Sequence, residues 1–148
     1  MRIAAADGKL SEPIKGLPAV NSSGQGGLLG LGLDPDFATN RMVYWVFADN
    51  TAAGTLTAVA KGKLAADEKS FEGAKVIYRA TPAHKGNLHY GGRIVFDKEG
   101  NIIFSTGERS DLVTRPLAQD LNAALGKILR ITKDGQPAAG NPFIGKAN

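Results

Sequence analysis

The sequence predicts an all-β fold built from repeated four-stranded antiparallel sheets, and three observations carry that prediction. Nineteen glycines and seven prolines in 148 residues break the chain at short intervals, as a fold of many turns requires and a helical bundle does not. The apolar runs between those breaks are short and rich in β-branched and aromatic residues, with Met42 to Ala48 (MVYWVFA) the strongest. The runs also recur. Leu31-Gly32-Leu33-Asp34, followed by Asn40 and a β-run, matches Ile94-Val95-Phe96-Asp97, followed by Asn101 and a β-run, and the two aspartates stand 63 positions apart.

Each element has its own signal. Arg2 to Ala6 is a short β-run ended by Asp7-Gly8, a tight-turn pair. Ile14 to Val20 reads as an edge or extended segment because of its prolines. A polar loop from Asn21 to Gly27 leads into Leu28 to Leu33, whose lack of polar side chains predicts an inner strand buried on both faces, with glycines permitting close backbone approach. Asp34-Pro35-Asp36 is a turn. Thr55 to Leu64 places Leu56, Ala58, Ala60 and Gly62 on one face, and Lys75 to Arg79 is a further strand. Arg93 to Asp97 and Ile102 to Thr106 form a hairpin about the turn Lys98-Glu99-Gly100-Asn101. Leu117 to Leu125 can hold one helical turn, and Lys127 to Thr132 is the last strand, closed by Asp134-Gly135.

Turns after the outer strands recur at Asp7, Asp67 and Asp134, 60 and 67 positions apart. A unit of about 60–67 residues holding four short strands is a β-propeller blade with its loops. The chain then divides roughly into 1–20, the end of one blade; 21–80, one whole blade; and 81–148, most of the next. That is about two blades, whereas propellers close with about four to eight. The prediction is therefore a portion of a propeller, or a chain that assembles with copies of itself.

Composition excludes several functions. With no cysteine there is no disulfide, thiolate nucleophile or iron–sulfur cluster. The net charge of +4 is spread over scattered Lys and Arg with no basic run, so no nucleic-acid partner is expected. No apolar run reaches the roughly 20 residues that span a bilayer, so no membrane partner is expected either, and the N-terminus shows no signal peptide.

His89 is the foremost candidate for chemistry, because a neutral imidazole at the mouth of an inner strand can take a proton near pH 7. The plainer reading is a surface loop histidine. His84 and His89 lack the third ligand a zinc site needs, and His84 is expected to face solvent. The glycine loop 24–30 has no Lys-Ser/Thr and precedes a strand, so it is not a phosphate loop; Gln25 within it offers an amide to a hydroxylated ligand or is a turn residue. Glu108, Arg109 and Asp111 read as a solvated charged loop with a local ion pair, although paired carboxylates would also serve glycoside hydrolysis if they faced one cleft. Asp34, Asp36 and Asn40 lack the Gly and Glu of a calcium loop and read as turn formers.

Three segments, GQGGLLGLGLDPDF at 24–37, HYGGRIVFDKEGNIIFSTGERSD at 89–111 and AQDLNAALGKILRITKDGQPAAGNPF at 118–143, resemble the soluble quinoprotein glucose/sorbosone dehydrogenase family in order and spacing. These are aldose sugar dehydrogenases, six-bladed propellers that use pyrroloquinoline quinone (PQQ) and calcium. The resemblance implies that His89, in the His-x-Gly-Gly-Arg motif, is the base that deprotonates the anomeric hydroxyl of an aldose, with hydride passing to the quinone and a lactone as product. It implies that Gln25 contacts the sugar and that Arg93 is structural. Leu88 stands where glucose-specific members carry an acidic residue, which points to the broader aldose-type subgroup. The family's quinone-gripping Arg-Asn pair and its calcium ligands lie beyond Asn148, so the expectation is an N-terminal portion of such an enzyme with a periplasmic or secreted setting. Association into a homo-oligomer through free blade edges follows, as a swapped dimer or as three copies completing six blades. The alternative is a propeller-derived binding or assembly module without catalysis.

Overall fold

The computed structural model describes residues 1–144. It is all-β, with two antiparallel sheets and little helix. The first sheet has the order β1-β2-β3-β4, formed by Leu28–Leu33, Met42–Thr51, Gly54–Leu64 and Phe71–Arg79. The second has the order β5-β6-β7, formed by Gly91–Phe96, Ile102–Thr106 and Ile128–Ile131. Every neighbour in both sheets is sequential, so each sheet is a meander of hairpins.

Alternation along β2 divides the core in two. Val43, Trp45 and Phe47 point to one face and pack with Ile14, Leu56, Ala58, Ala60, Leu64 and Phe71. Tyr44 and Val46 point to the other and meet Ile94, Ile102, Phe104 and Ile131 of the second sheet. The first sheet is thus covered on both faces, by the second sheet on one side and by the N-terminal segment on the other. That segment holds no regular strand. Around its Asp7-Gly8 turn it makes one bridge, Ala4 with Leu10, and it touches the sheet through a parallel bridge from Lys15 to Ser70. Pro13 and Pro18 remove the donors a continuous ladder would need, so its residues act as a lid: Ile3, Leu17 and Val20 pack on the core without extending a sheet.

The two sheets meet where β1 lies against β5. A Cβ on Gly30 would collide with the Gly92 carbonyl, and one on Gly32 would press on the Phe96 ring at 3.1 Å. The glycines of this run therefore do permit the close approach expected of them. The expectation that the strand is buried on both faces is wrong. Leu31 and Leu33 are about half exposed, because β1 is an edge strand and only its glycine face meets the second sheet. Two further elements differ from expectation. Phe37–Asn40 forms a single α-turn, α1, stopped by Arg41 in the left-handed region at φ 55°. The helical turn after the hairpin is a 3₁₀ turn at Arg115–Gln119, started by Pro116 near its first position, and it does not reach Leu125.

The repeated aspartates do the same job twice. The Asp34 carboxylate accepts from the Asp36 N–H at 3.0 Å, and Asp97 accepts from the Asn101 N–H at 2.8 Å. Each is also held by a cation from the second sheet's final hairpin: Lys133 reaches Asp34 at 2.8 Å, and Arg130 reaches Asp97 at 2.6 Å while also pairing with Glu99. Partial burial would raise the Asp97 carboxyl, but the Arg130 guanidinium and the Asn101 donors outweigh it and hold the pKa down at about 2. A carboxyl lowered by folding stabilises the protein above its unfolded pKa of about 3.9. That stabilisation is lost as pH falls through the folded value. Asp97→Asn should therefore lower the urea midpoint at pH about 5, and the gap to the unaltered chain should close as pH falls towards about 2. An equal gap at both pH values contradicts the assignment.

Candidate functional site

Three loops converge at one end of the inner strands: the glycine loop around Gln25, the segment 84–90 that leads into β5, and the exit of β6 at Gly107 to Asp111. Their meeting follows from strand register. Gly91 pairs with Thr106, and stepping two residues outward on each strand brings His89 opposite Glu108. The approach is tight, since a Cβ on Gly107 would collide with the His89 carbonyl. The Gly107 N–H donates to the Tyr90 carbonyl at 2.9 Å and the Arg109 N–H to the His89 carbonyl at 3.3 Å.

The His89 Nδ1 lies 2.9 Å from both Glu108 carboxylate oxygens. A carboxylate accepts only, so this geometry assigns the Nδ1–H tautomer and leaves the Nε2 lone pair free. The imidazole is 47% exposed and Glu108 24%, so the pair stands at the surface with its free nitrogen open to a ligand. Partial burial would raise the Glu108 carboxyl, but the His89 hydrogen bond and nearby backbone donors outweigh it and lower its pKa. The carboxylate is therefore ionised at neutral pH and can stabilise the imidazolium that forms when His89 accepts a proton.

Gln25 stitches two of the loops together. Its Oε1 accepts from the His89 N–H at 2.9 Å, and its own N–H donates to the Asn87 carbonyl at 2.8 Å. The carbonyl end of its side chain is thus committed to the backbone of His89. His84 is half-buried, contrary to the solvent-facing position expected of it. Its backbone forms a bridge to Thr55, and its Nε2 lies 3.4 Å from Asp111.

The largest departure from the sequence reading is Arg109. Far from lying in a solvated loop, it is 3% exposed. Its Nε donates to the Leu88 carbonyl at 2.9 Å. Nη1 donates to the Thr55 carbonyl at 2.8 Å, and Nη2 to Thr55 Oγ1 at 2.8 Å and to the Gly86 carbonyl. The guanidinium also stacks on Tyr90, 3.9 Å from the ring centroid. The Tyr90 hydroxyl donates to Thr55 Oγ1 at 2.8 Å, while Thr57 Oγ1 donates to the Tyr90 carbonyl at 2.6 Å. Sequence reasoning missed both Arg109 and the role of Glu108. Counting outward from the Gly100 turn puts Arg109 opposite His89, and only the one-residue shift at the bulge between Gly91 and Ile94 brings Glu108 there; nothing local marks that bulge or marks Arg109 as buried.

The fold and this site define a class: an all-β protein of a four-stranded and a three-stranded meander packed together, with a carboxylate-oriented histidine at the mouth of an inner strand. More particularly, the model of the Glucose / Sorbosone dehydrogenase family matches residues 1–148, and the chain belongs to that family. It is 39% identical over 138 residues to the aldose sugar dehydrogenase YliI of Escherichia coli K12, covering 91% of this chain and 36% of that protein. The crystal structure of the soluble aldose sugar dehydrogenase from Escherichia coli in its apo-form superposes with a TM-score of 0.89 at 36% identity, over 98% of this chain and 41% of that one. The PQQ-bound aldose sugar dehydrogenase from Streptomyces coelicolor gives a TM-score of 0.77 at 37% identity, over 93% of this chain and 39% of that one. The chain thus spans well under half the length of these relatives.

The residues present do not by themselves fit PQQ and calcium. Calcium takes six to eight oxygen ligands, and among the described residues no group of three or more His, Asp or Glu could hold a metal ion. The quinone carries three carboxylates and needs cations. Arg109 is engaged internally with carbonyls and Thr55, and the Lys127 ammonium is taken by the carbonyls of Leu117, Ala118 and Leu125.

Proposed function

We propose that this chain carries the proton-abstracting half of a PQQ- and calcium-dependent aldose dehydrogenase, an oxidoreductase converting an aldose to its lactone. The observation that carries the reading is the His89–Glu108 pair at 2.9 Å. Glu108 holds the Nδ1 proton, His89 Nε2 takes the proton of the sugar's anomeric hydroxyl, and Glu108 stabilises the imidazolium. The Gln25 NH2 group, whose partner oxygen is already committed to His89, is directed to a sugar hydroxyl. The electron acceptor and the calcium are held by parts of the enzyme other than the residues described here. The reading includes the propeller, with the two sheets as neighbouring blades, and the periplasmic or extracellular setting that the family resemblance implies. No helix among the described residues is long and apolar enough to cross a membrane.

The test is a chimera in which this chain replaces the matching portion of the Escherichia coli enzyme, assayed for aldose-dependent dye reduction with PQQ and calcium. His89→Asn in that chimera should cut turnover by about 10²–10⁴-fold, the range for loss of a general base, with PQQ binding retained. Unchanged turnover overturns the assignment.

A second reading, an assembly module, is favoured by the apolar side chains Leu28, Leu31 and Leu33 on β1, Val95 on β5 and Ile128 on β7, all exposed. Such surfaces mark interfaces. Light scattering of the chain should then give a mass of two or three copies; a folded single copy contradicts it.

A further inference from the structure

We infer that Arg109 is a positioning residue for the His89–Glu108 pair, acting through the backbone that carries both. This rests on the proposal that the pair is the functional unit. Of the five non-glycine residues with positive φ among those described, three lie here: His89 at 45°, Arg109 at 74° and Ser110 at 57°. Each such residue is strained and persists only where its surroundings over-determine it. Arg109 is the element that does so. Its backbone belongs to the second strained segment, next to Glu108 in sequence, and its side chain reaches across to the first. Its donors fix the carbonyls of Gly86 and Leu88, on the chain just before His89, and its ring contact fixes Tyr90, just after it. The anchor for all of these is Thr55 at the start of β3, in the other sheet.

A buried guanidinium with no carboxylate partner is a poor choice for stability alone, since burial disfavours its charge and lowers its pKa. Its planar fork, however, can bind carbonyls on separate segments at fixed angles, which an ammonium cannot do. The consequence is geometric: with Arg109 in place, His89 cannot rotate its backbone away from Glu108, so the Nδ1–H tautomer is enforced before any ligand arrives.

Nitrogen-15 imidazole spectra of the unaltered chain test this directly, with His84→Asn used to assign the two histidines. His89 should appear as the Nδ1–H tautomer with a slowly exchanging proton. Glu108→Gln should abolish that slow exchange. Arg109→Lys, which keeps the charge and loses the fork, should retain the dispersed amide spectrum of both sheets yet raise the Nδ1 proton exchange rate at least tenfold. Thr55→Val, which removes one acceptor and leaves the guanidinium, should give a smaller rise in the same direction and decides the matter should Arg109→Lys unfold. Exchange unchanged in a folded Arg109→Lys, or in Thr55→Val where Arg109→Lys unfolds, overturns the positioning role. Absence of the Nδ1–H tautomer in the unaltered chain overturns the pair itself. A preserved pair with no sugar oxidation in the chimera would defeat the proposed function while leaving the positioning role standing.

Discussion

One buried cation organises the functional end of this molecule. The Arg109 guanidinium gathers the carbonyls of Thr55, Gly86 and Leu88 and the face of Tyr90, so that β3 of the first sheet, the long loop between β4 and β5 and the exit of the second sheet's hairpin share one anchor. Hydrogen bonds to a charged donor are worth roughly 1.5–3 kcal/mol each, and several acting on one rigid fork can hold neighbouring residues in left-handed backbone conformations. The pairing of His89 with Glu108 is downstream of that constraint. Register alone puts the two residues opposite one another; Arg109 and the Gln25 amide keep the histidine's backbone where the register leaves it.

At the opposite end of the strands the repeated aspartates serve the fold. Asp34 and Asp97 each close the turn after an inner strand, and Lys133 and Arg130 tie both turns to the last hairpin. Between these two ends the glycine face of β1 lets the sheets approach until backbone nearly meets backbone. The inner strands are thus pinned at their ends by polar networks and along their length by the absence of side chains. The histidine stands on a frame fixed at both ends.

How far this was legible in the sequence depends on the range of the interaction. Strands β2, β3, β5 and β6 follow from local alternation and turn chemistry, and the hairpin about Gly100 has its turn where the sequence puts it. The Asp–Asn turns were readable because the same residues recur at a fixed period. What was not readable depends on distant partners. Leu31 and Leu33 look like core until β1 is known to be an edge, and the N-terminal prolines leave a lid where strands were expected. Arg109 looks like any loop arginine, because three of its four acceptors are main-chain carbonyls, up to 54 positions away, and main-chain acceptors leave no mark in a sequence. Glu108 is intermediate: its role follows from hairpin register, once the register is worked outward past the bulge between Gly91 and Ile94.

Membership of the glucose/sorbosone dehydrogenase family and the carboxylate-oriented imidazole both support the proposal that this chain contributes proton transfer. The central claim is that His89 and Glu108 work as one unit in that step. A double-mutant cycle on aldose turnover in the chimera with the Escherichia coli enzyme measures this most directly. Glu108→Gln should lower the rate in the presence of His89 and add nothing once His89→Asn is in place, as for residues acting as a unit. Independent effects that multiply in the double variant would contradict it.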